Sequence, residues 1–171
     1  MLTTADRVDL TWINVSRCTY RIILRMFKRI LVPVDASPAS SAGLRVALRL
    51  ARDQKARVRL IHLASQVPLG RTRGAGMTVQ ELFAAMRNDG RRFLERKTSL
   101  CRAAGVRTDD ALYIGLGKHP ATVVVAEARK WRADVIVMGT HGRRGISRMV
   151  LRSDAEEIIR TSPVPVLLTR K

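Results

Sequence analysis

Short apolar runs and longer amphipathic stretches alternate along this chain. Runs such as Val-Ile-Val-Met at residues 135–138 are typical of strands that are buried on both faces. The pattern predicts strands over residues 29–35, 57–63, 110–115, 134–139 and 164–169, and helices over 38–53, 77–104, 119–132 and 154–161. Regular alternation of this kind predicts a doubly wound α/β fold, with a five-stranded parallel sheet and helices on both faces.

The fourth predicted strand leads into a loop that contains Gly139, Gly142 and Gly145. Only glycine lets a backbone approach a phosphate closely or adopt positive φ at little cost. The loop is followed by Ser-Asp-Ala-Glu at residues 153–156, which is typical of a capping box, so a helix is expected to begin at about Asp154. Because a helix N-terminus offers unpaired N–H groups, this layout is that of a phosphate cradle.

The segment resembles the C-terminal signature of the universal stress protein family. In nucleotide-binding members the signature is Gly, two residues, Gly, nine residues, Gly, and then Ser or Thr. Gly139, Gly142 and Ser153 match it, and Arg152 stands in place of the third glycine. Asp154 adds a carboxylate that favours the helix dipole but would repel a phosphate. Arginines of the loop would compensate if they folded inward.

The beginning of the predicted domain resembles the first strand of the same family. The matching residues are 28–41, Lys-Arg-Ile-Leu-Val-Pro-Val-Asp-Ala-Ser-Pro-Ala-Ser-Ser. The resemblance implies that Pro33 and Asp35 flank an adenine and that residues 61–63 offer backbone groups to it. A carboxylate that ends a strand and stabilises the following turn is an equally good interpretation of Asp35. The expected nucleotide-binding residues are Pro33, Asp35, His62, Met138, Gly139, Gly142, Arg152, Ser153 and Asp154.

The strand order of the family is 3-2-1-4-5, and the resemblance implies the same order here. That order places the first and fourth strands side by side, where the direction of winding reverses. Ligands of open α/β sheets bind outside the carboxyl ends of the strands at such a point. Asp35 and Gly139 stand at the ends of these two strands, so both motifs are expected to meet in one crevice.

Residues 26–171 are expected to form the universal stress protein domain. Residues 1–25 are either a start assigned too early or a real N-terminal extension. They lack the basic start and the continuous apolar core of a secretory signal, and no run of about 18 apolar residues predicts a membrane span. A cytoplasmic location is therefore expected.

The chain is strongly basic, with 32 Lys and Arg against 14 acidic residues, a net charge of +18 and a pI of about 11.6. Such a field attracts nucleic acid, anionic lipid or acidic proteins. The arginines, however, follow the spacing of solvated helix faces, and aromatic residues make up only 4% of the chain. Sequence-specific nucleic-acid binding is therefore not expected. Nonspecific adhesion to anionic partners is the more expected result of the charge.

Covalent or metal chemistry is not indicated. Cys18 and Cys101 have no metal-ligand spacing, the three histidines are scattered, and no paired carboxylates or hydrolase motif occur. The sequence therefore predicts no enzyme, with at most weak ATP hydrolysis, no catalytic residues and no metal ligands. Mg²⁺ is expected only together with bound ATP.

The last predicted strand, from Val164 to Thr169, is an apolar edge. In the family this strand pairs with its copy, which implies a homodimer; a monomer with a covered edge is the alternative.

Two functions are compatible with the patterns of the whole sequence. One is a stress-response module that binds ATP and acts on an unknown signalling protein. The other is a nucleotide-independent dimeric module whose phosphate site is closed by Arg152 and Asp154.

Overall fold

Five strands and four helices alternate along the chain. The computed structural model describes residues 27–64, 78–115, 119–139 and 154–169. The strands are β1 (Arg29–Pro33), β2 (Arg57–Ala64), β3 (Thr108–Ile114), β4 (Val135–Gly139) and β5 (Val166–Thr169), and the helices are α1 (Pro38–Gln54), α2 (Val79–Ala103), α3 (Pro120–Trp131) and α4 (Asp154–Thr161). Each predicted element is present, with ends displaced by no more than two residues. β5 begins later than predicted, at Val166, because the preceding Pro163 and Pro165 have no N–H to donate to the sheet.

The strands form one parallel sheet in the order β3-β2-β1-β4-β5, which confirms the predicted doubly wound fold. β1 lies in the middle, and Ile30 is paired with Val58 of β2 on one side and Val135 of β4 on the other. The winding reverses between β1 and β4, since β2 and β3 extend the sheet in one direction and β4 and β5 in the other.

Each face of the sheet packs against two helices. Ile30 and Val32 point to one face, where they share a core with Leu44 of α1 and Leu94 of α2. Leu31, between them, points to the other face. There it lies in a second core with Val123 and Val124 of α3 and Ile158 of α4. Two buried faces explain why β1 is a continuous apolar run and does not alternate.

The helix N-termini follow local sequence signals. The Ser37 side chain accepts a hydrogen bond from the Ser40 N–H at the start of α1. Thr78 and Glu81 form a reciprocal capping box at the start of α2. Pro120 occupies the first turn of α3, where its missing N–H costs nothing. Among the described residues, no helix is long and apolar enough to cross a membrane.

Candidate functional site

The turn between β1 and α1 is held by side-chain hydrogen bonds. The Asp35 carboxylate accepts a hydrogen bond of 2.8 Å from the Ser37 N–H. The Asp35 N–H donates in turn to the Ser40 hydroxyl, at 2.9 Å. Asp35 therefore does stabilise the turn, and the same bonds hold its carboxylate in one place at the carboxyl end of β1.

The helix that follows this turn lies directly on the end of β4. A Cβ built on Gly139 would be 2.2 Å from the carbonyl oxygen of Ala39, and one built on Gly43 would be 2.8 Å from the amide nitrogen of Gly139. Real Cβ atoms do not approach other atoms so closely. Gly139 therefore has a packing role, and it brings the end of β4 against the Asp35 turn. The predicted convergence of these two segments is present.

The end of β2 is tied to the same turn. The Val34 N–H donates to the Ile61 carbonyl at 2.8 Å. The His62 Nδ1 lies 2.8 Å from the Val34 carbonyl oxygen, and because a carbonyl can only accept, Nδ1 carries the proton. The His62 ring also packs on Phe93 of α2, with ring centroids 4.6 Å apart. The His62 side chain thus connects β2 with the turn after β1 and with α2.

The structure brings together part of the predicted nucleotide site. Pro33, Asp35, His62, Met138 and Gly139 all lie at the carboxyl ends of β1, β2 and β4. Gly142, Arg152 and Ser153 lie outside the described residues. α4 extends from Asp154 to Thr161, and the capping role predicted for Ser153 stays a prediction.

The first turn of α4 carries three carboxylates, whereas the sequence-based prediction concerned only that of Asp154. Glu156 and Glu157 lie in the same turn. The Nδ1 of His119, before α3, is 3.8 Å from an Asp154 oxygen and 3.4 Å from a Glu157 oxygen. These carboxylates offset the positive end of the helix dipole, so the turn repels an incoming phosphate more strongly than a neutral one would.

A buried polar cluster on the α3 face of the sheet was not predicted from the sequence. Glu127 of α3 is only 1% exposed, and its carboxylate accepts from Arg59 at 2.7 Å and from the Tyr113 hydroxyl at 2.5 Å. The Arg59 guanidinium also lies 5.1 Å from the centre of the Trp131 ring. The sequence did carry a signal, because Glu127 follows the apolar segment Ala-Thr-Val-Val-Val-Ala at residues 121–126.

Ionisation in this cluster is shifted by its surroundings. Burial, and next the hydrogen bond to Glu127, raise the pKa of Tyr113 to about 12. The phenol therefore stays a neutral donor to Glu127 at physiological pH.

The cysteine of the described structure lies outside this cluster. Burial raises the pKa of the Cys101 thiol, which leaves it unreactive. Within the described ranges, no group of three or more His, Cys, Asp or Glu side chains could hold a metal ion.

Comparison with known proteins gives a consistent result. A sequence model of the universal stress protein family matches residues 26–170. Universal stress protein MJ0531 of Methanocaldococcus jannaschii is 30% identical over 148 residues, which are 85% of this chain and 84% of that protein. The solved structure of protein MJ0577 has a TM-score of 0.69 at 23% identity, covering 85% of this chain and 97% of the other, and so shares the fold. The universal stress protein of Archaeoglobus fulgidus, solved in complex with dAMP, has a TM-score of 0.59 at 26% identity, covering 84% and 98%.

Proposed function

Because this chain belongs to the universal stress protein family, we propose that it is a cytoplasmic stress-response module that binds an adenine nucleotide. The proposed site is the crevice at the carboxyl ends of β1 and β4. The observation that supports it most is the packing of α1 on Gly139, which sets the Asp35 turn beside the end of β4. Crevices at such reversal points are where open α/β sheets bind ligands. A relative 26% identical to this chain has been solved with dAMP.

We assign Asp35 and the backbone of residues 61–63 to the adenine, and Gly139 to the ribose. Gly142 and Ser153 are assigned to the phosphates, with Mg²⁺ accompanying ATP. The two hydrogen bonds of the Asp35 turn support the first assignment, since a carboxylate already fixed in place loses little conformational freedom on binding. The module is proposed to bind and signal through a protein partner, and not to catalyse a reaction.

Replacing Asp35 by Ala is expected to weaken ATP binding at least tenfold, or about 1.4 kcal/mol, because the base loses its acceptor. Asp35→Asn keeps an acceptor for the Ser37 N–H and is expected to retain more of the affinity than Ala. Titration of each full-length variant with ATP and Mg²⁺ measures its affinity. Asp89→Ala, on α2, is the matched control and should bind as the unchanged protein does. Equal affinities of Asp35→Ala and the control would remove Asp35 from the site.

The acidic first turn of α4 favours a second candidate function, a dimeric module that works without a nucleotide. In this case Arg152 and Asp154 close the phosphate site. The same titration on Arg152→Gly separates the two candidates. A gain of ATP affinity, with no binding by the unchanged protein, supports the closed site. Binding by the unchanged protein and no gain in the variant supports the nucleotide module.

We further propose that the protein forms a homodimer through β5. This strand lies at the edge of the sheet, and its Leu167 and Leu168 are 40% and 37% exposed. An apolar edge strand is a template for pairing with another chain. Pro163 and Pro165 restrict that pairing to the strand itself.

Leu168→Lys is expected to convert the dimer into a monomer at micromolar concentration, because a charge on the edge strand opposes pairing. Sedimentation velocity gives the mass directly. Val46→Lys is the control, since Val46 is equally exposed, at 37%, but lies on α1. A monomeric unchanged protein, or loss of the dimer in both variants, would contradict an interface at β5.

A further inference from the structure

Among the residues that the structure describes, positive charge is concentrated at the end of the sheet opposite the proposed nucleotide site. All strands begin and all helices end there. We define the basic pole as the last turn of each helix, the connection to the next strand, the first two residues of each strand, and residues 27 and 28. Within the described residues it contains eleven cations, namely Lys28, Arg29, Arg52, Lys55, Arg57, Arg102, Arg107, Arg129, Lys130, Arg132 and Arg160. Its three described carboxylates are Asp53, Asp109 and Asp134.

The rest of the described structure has no excess of positive charge. Outside the pole the described residues include eight Lys or Arg side chains and nine Asp or Glu side chains. The excess of the described part is therefore located entirely at one end of the molecule.

Two of the three carboxylates at the pole are already engaged. Asp134 accepts from the backbone N–H groups of Lys28 and Arg29, at 2.7 and 2.8 Å. Asp109 pairs with Arg57. By contrast, Arg107 and Lys55 form no side-chain hydrogen bond or ion pair with any other described residue. Their charges are thus available to a partner.

Stabilisation of helix ends explains the positions of only some cations of the pole. Cations near a helix C-terminus interact favourably with its dipole. Lys28 donates to the Gln54 carbonyl at 2.8 Å and Arg29 to the Trp131 carbonyl at 3.1 Å, at the ends of α1 and α3. Arg107, in the connection before β3, is not at a helix end and gains nothing in this way. The position of Arg107 therefore needs another explanation.

Cations of the pole line two shallow concavities that flank the turn from Gly105 to Arg107, in which Gly105 and Arg107 are exposed and Val106 is buried. Arg57 and Arg102 line the first concavity. Arg52 and Lys55 line the second. Arg107 lines both. Since the guanidinium of Arg57 lies over the Trp131 ring, at 5.8 Å, one wall of the first is held in position.

We propose that the basic pole binds the phosphate backbone of double-stranded nucleic acid without reading its sequence. Guanidinium groups match phosphate oxygens in a bidentate geometry, and arginine dominates the pole. Single strands are bound on exposed aromatic rings, but the rings at the pole are the buried Trp131 and the half-buried Phe27. Contacts to phosphates without contacts to bases favour a duplex held by charge alone.

The test compares two triple variants of the full-length protein that lose the same charge. The pole variant is Arg52→Gln, Lys55→Gln and Arg107→Gln; the control variant is Arg45→Gln, Arg49→Gln and Arg92→Gln, on the exposed faces of α1 and α2. Binding to a mixed-sequence DNA duplex of about 24 base pairs is measured from about 50 to 200 mM salt. The pole variant is expected to bind at least tenfold more weakly at low salt. Its slope of log K against log salt should be shallower by about 2 to 3, since each lost phosphate contact removes about 0.9.

The control variant is expected to bind within about twofold of the unchanged protein. Equal loss in both variants would overturn the proposal, because binding would then follow net charge and not the pole. Tighter binding of the unchanged protein to anionic phospholipid vesicles or to polyglutamate than to the duplex would overturn the choice of partner. Thermal unfolding of both variants shows whether each is folded; because the substituted side chains are exposed, similar midpoints are expected.

Discussion

Replacing Arg59 by Met is expected to lower the free energy of unfolding by about 3 to 5 kcal/mol. The change leaves the buried Glu127 carboxylate without its cation, and the remaining donor, the Tyr113 hydroxyl, is neutral. Removing one partner of a buried ion pair costs more than the pair itself contributes, since the other charge stays out of water. Urea unfolding at neutral pH measures the change.

Arg57→Met is the matched control on the same strand. Arg57 also pairs with a carboxylate and also lies over Trp131, but Arg57 and its partner Asp109 are 44% and 36% exposed. Exposed pairs contribute little, so the control should cost no more than about 1 kcal/mol. Adding Glu127→Gln to Arg59→Met should restore part of the loss, because the amide is neutral and still accepts from Tyr113. Similar costs for Arg59→Met and Arg57→Met would mean that Glu127 is not desolvated in the way the structure indicates.

Gly139→Ala is expected to cost about 3 kcal/mol of folding free energy. The new Cβ would lie 2.2 Å from the Ala39 carbonyl oxygen, and the obstacle is backbone that moves only if α1 shifts from the sheet. Chemical denaturation measures the loss. Because α1 begins at the Asp35 turn, a shift would also disturb the proposed adenine site.

Gly90→Ala provides the comparison. A Cβ there would also be close to an atom, at 2.7 Å, but that atom is the end of the flexible Leu112 side chain. Ala is also the better residue within a helix, by about 0.5 to 1 kcal/mol. The control should therefore change stability by less than about 1 kcal/mol. A Gly139→Ala protein as stable as the control, but unable to bind a nucleotide, would show that Gly139 serves the ligand and not the packing.

The elements of the fold could be predicted because their signals are local. The continuous apolar runs of β1 and β4 and the capping pattern before α4 each lie within a few residues. The order of the strands could not be obtained from these signals, and it came from the family resemblance. Gly139 was predicted to lie at the crevice, but the reason found in the structure depends on where α1 crosses β4. No short segment of the sequence predicts where α1 packs against β4.

The polar cluster and the basic pole were missed for a related reason. Arg59, Tyr113 and Glu127 come from three elements, and only the packing of α3 on the sheet brings them together. Likewise Arg52, Arg57 and Arg107 have ordinary spacing along the chain. They become one surface because parallel strands with crossover helices place every strand start at the same end.

The central claim is that an adenine nucleotide binds at the ends of β1 and β4. Calorimetric titration of the full-length protein with ATP and with AMP, in Mg²⁺, tests it most directly. About 150 mM salt is needed to screen the attraction of phosphates to the +18 charge of the chain. The account predicts micromolar binding of ATP at one site per chain. Absence of binding for both nucleotides would contradict it and would assign the function to the dimer and its partners.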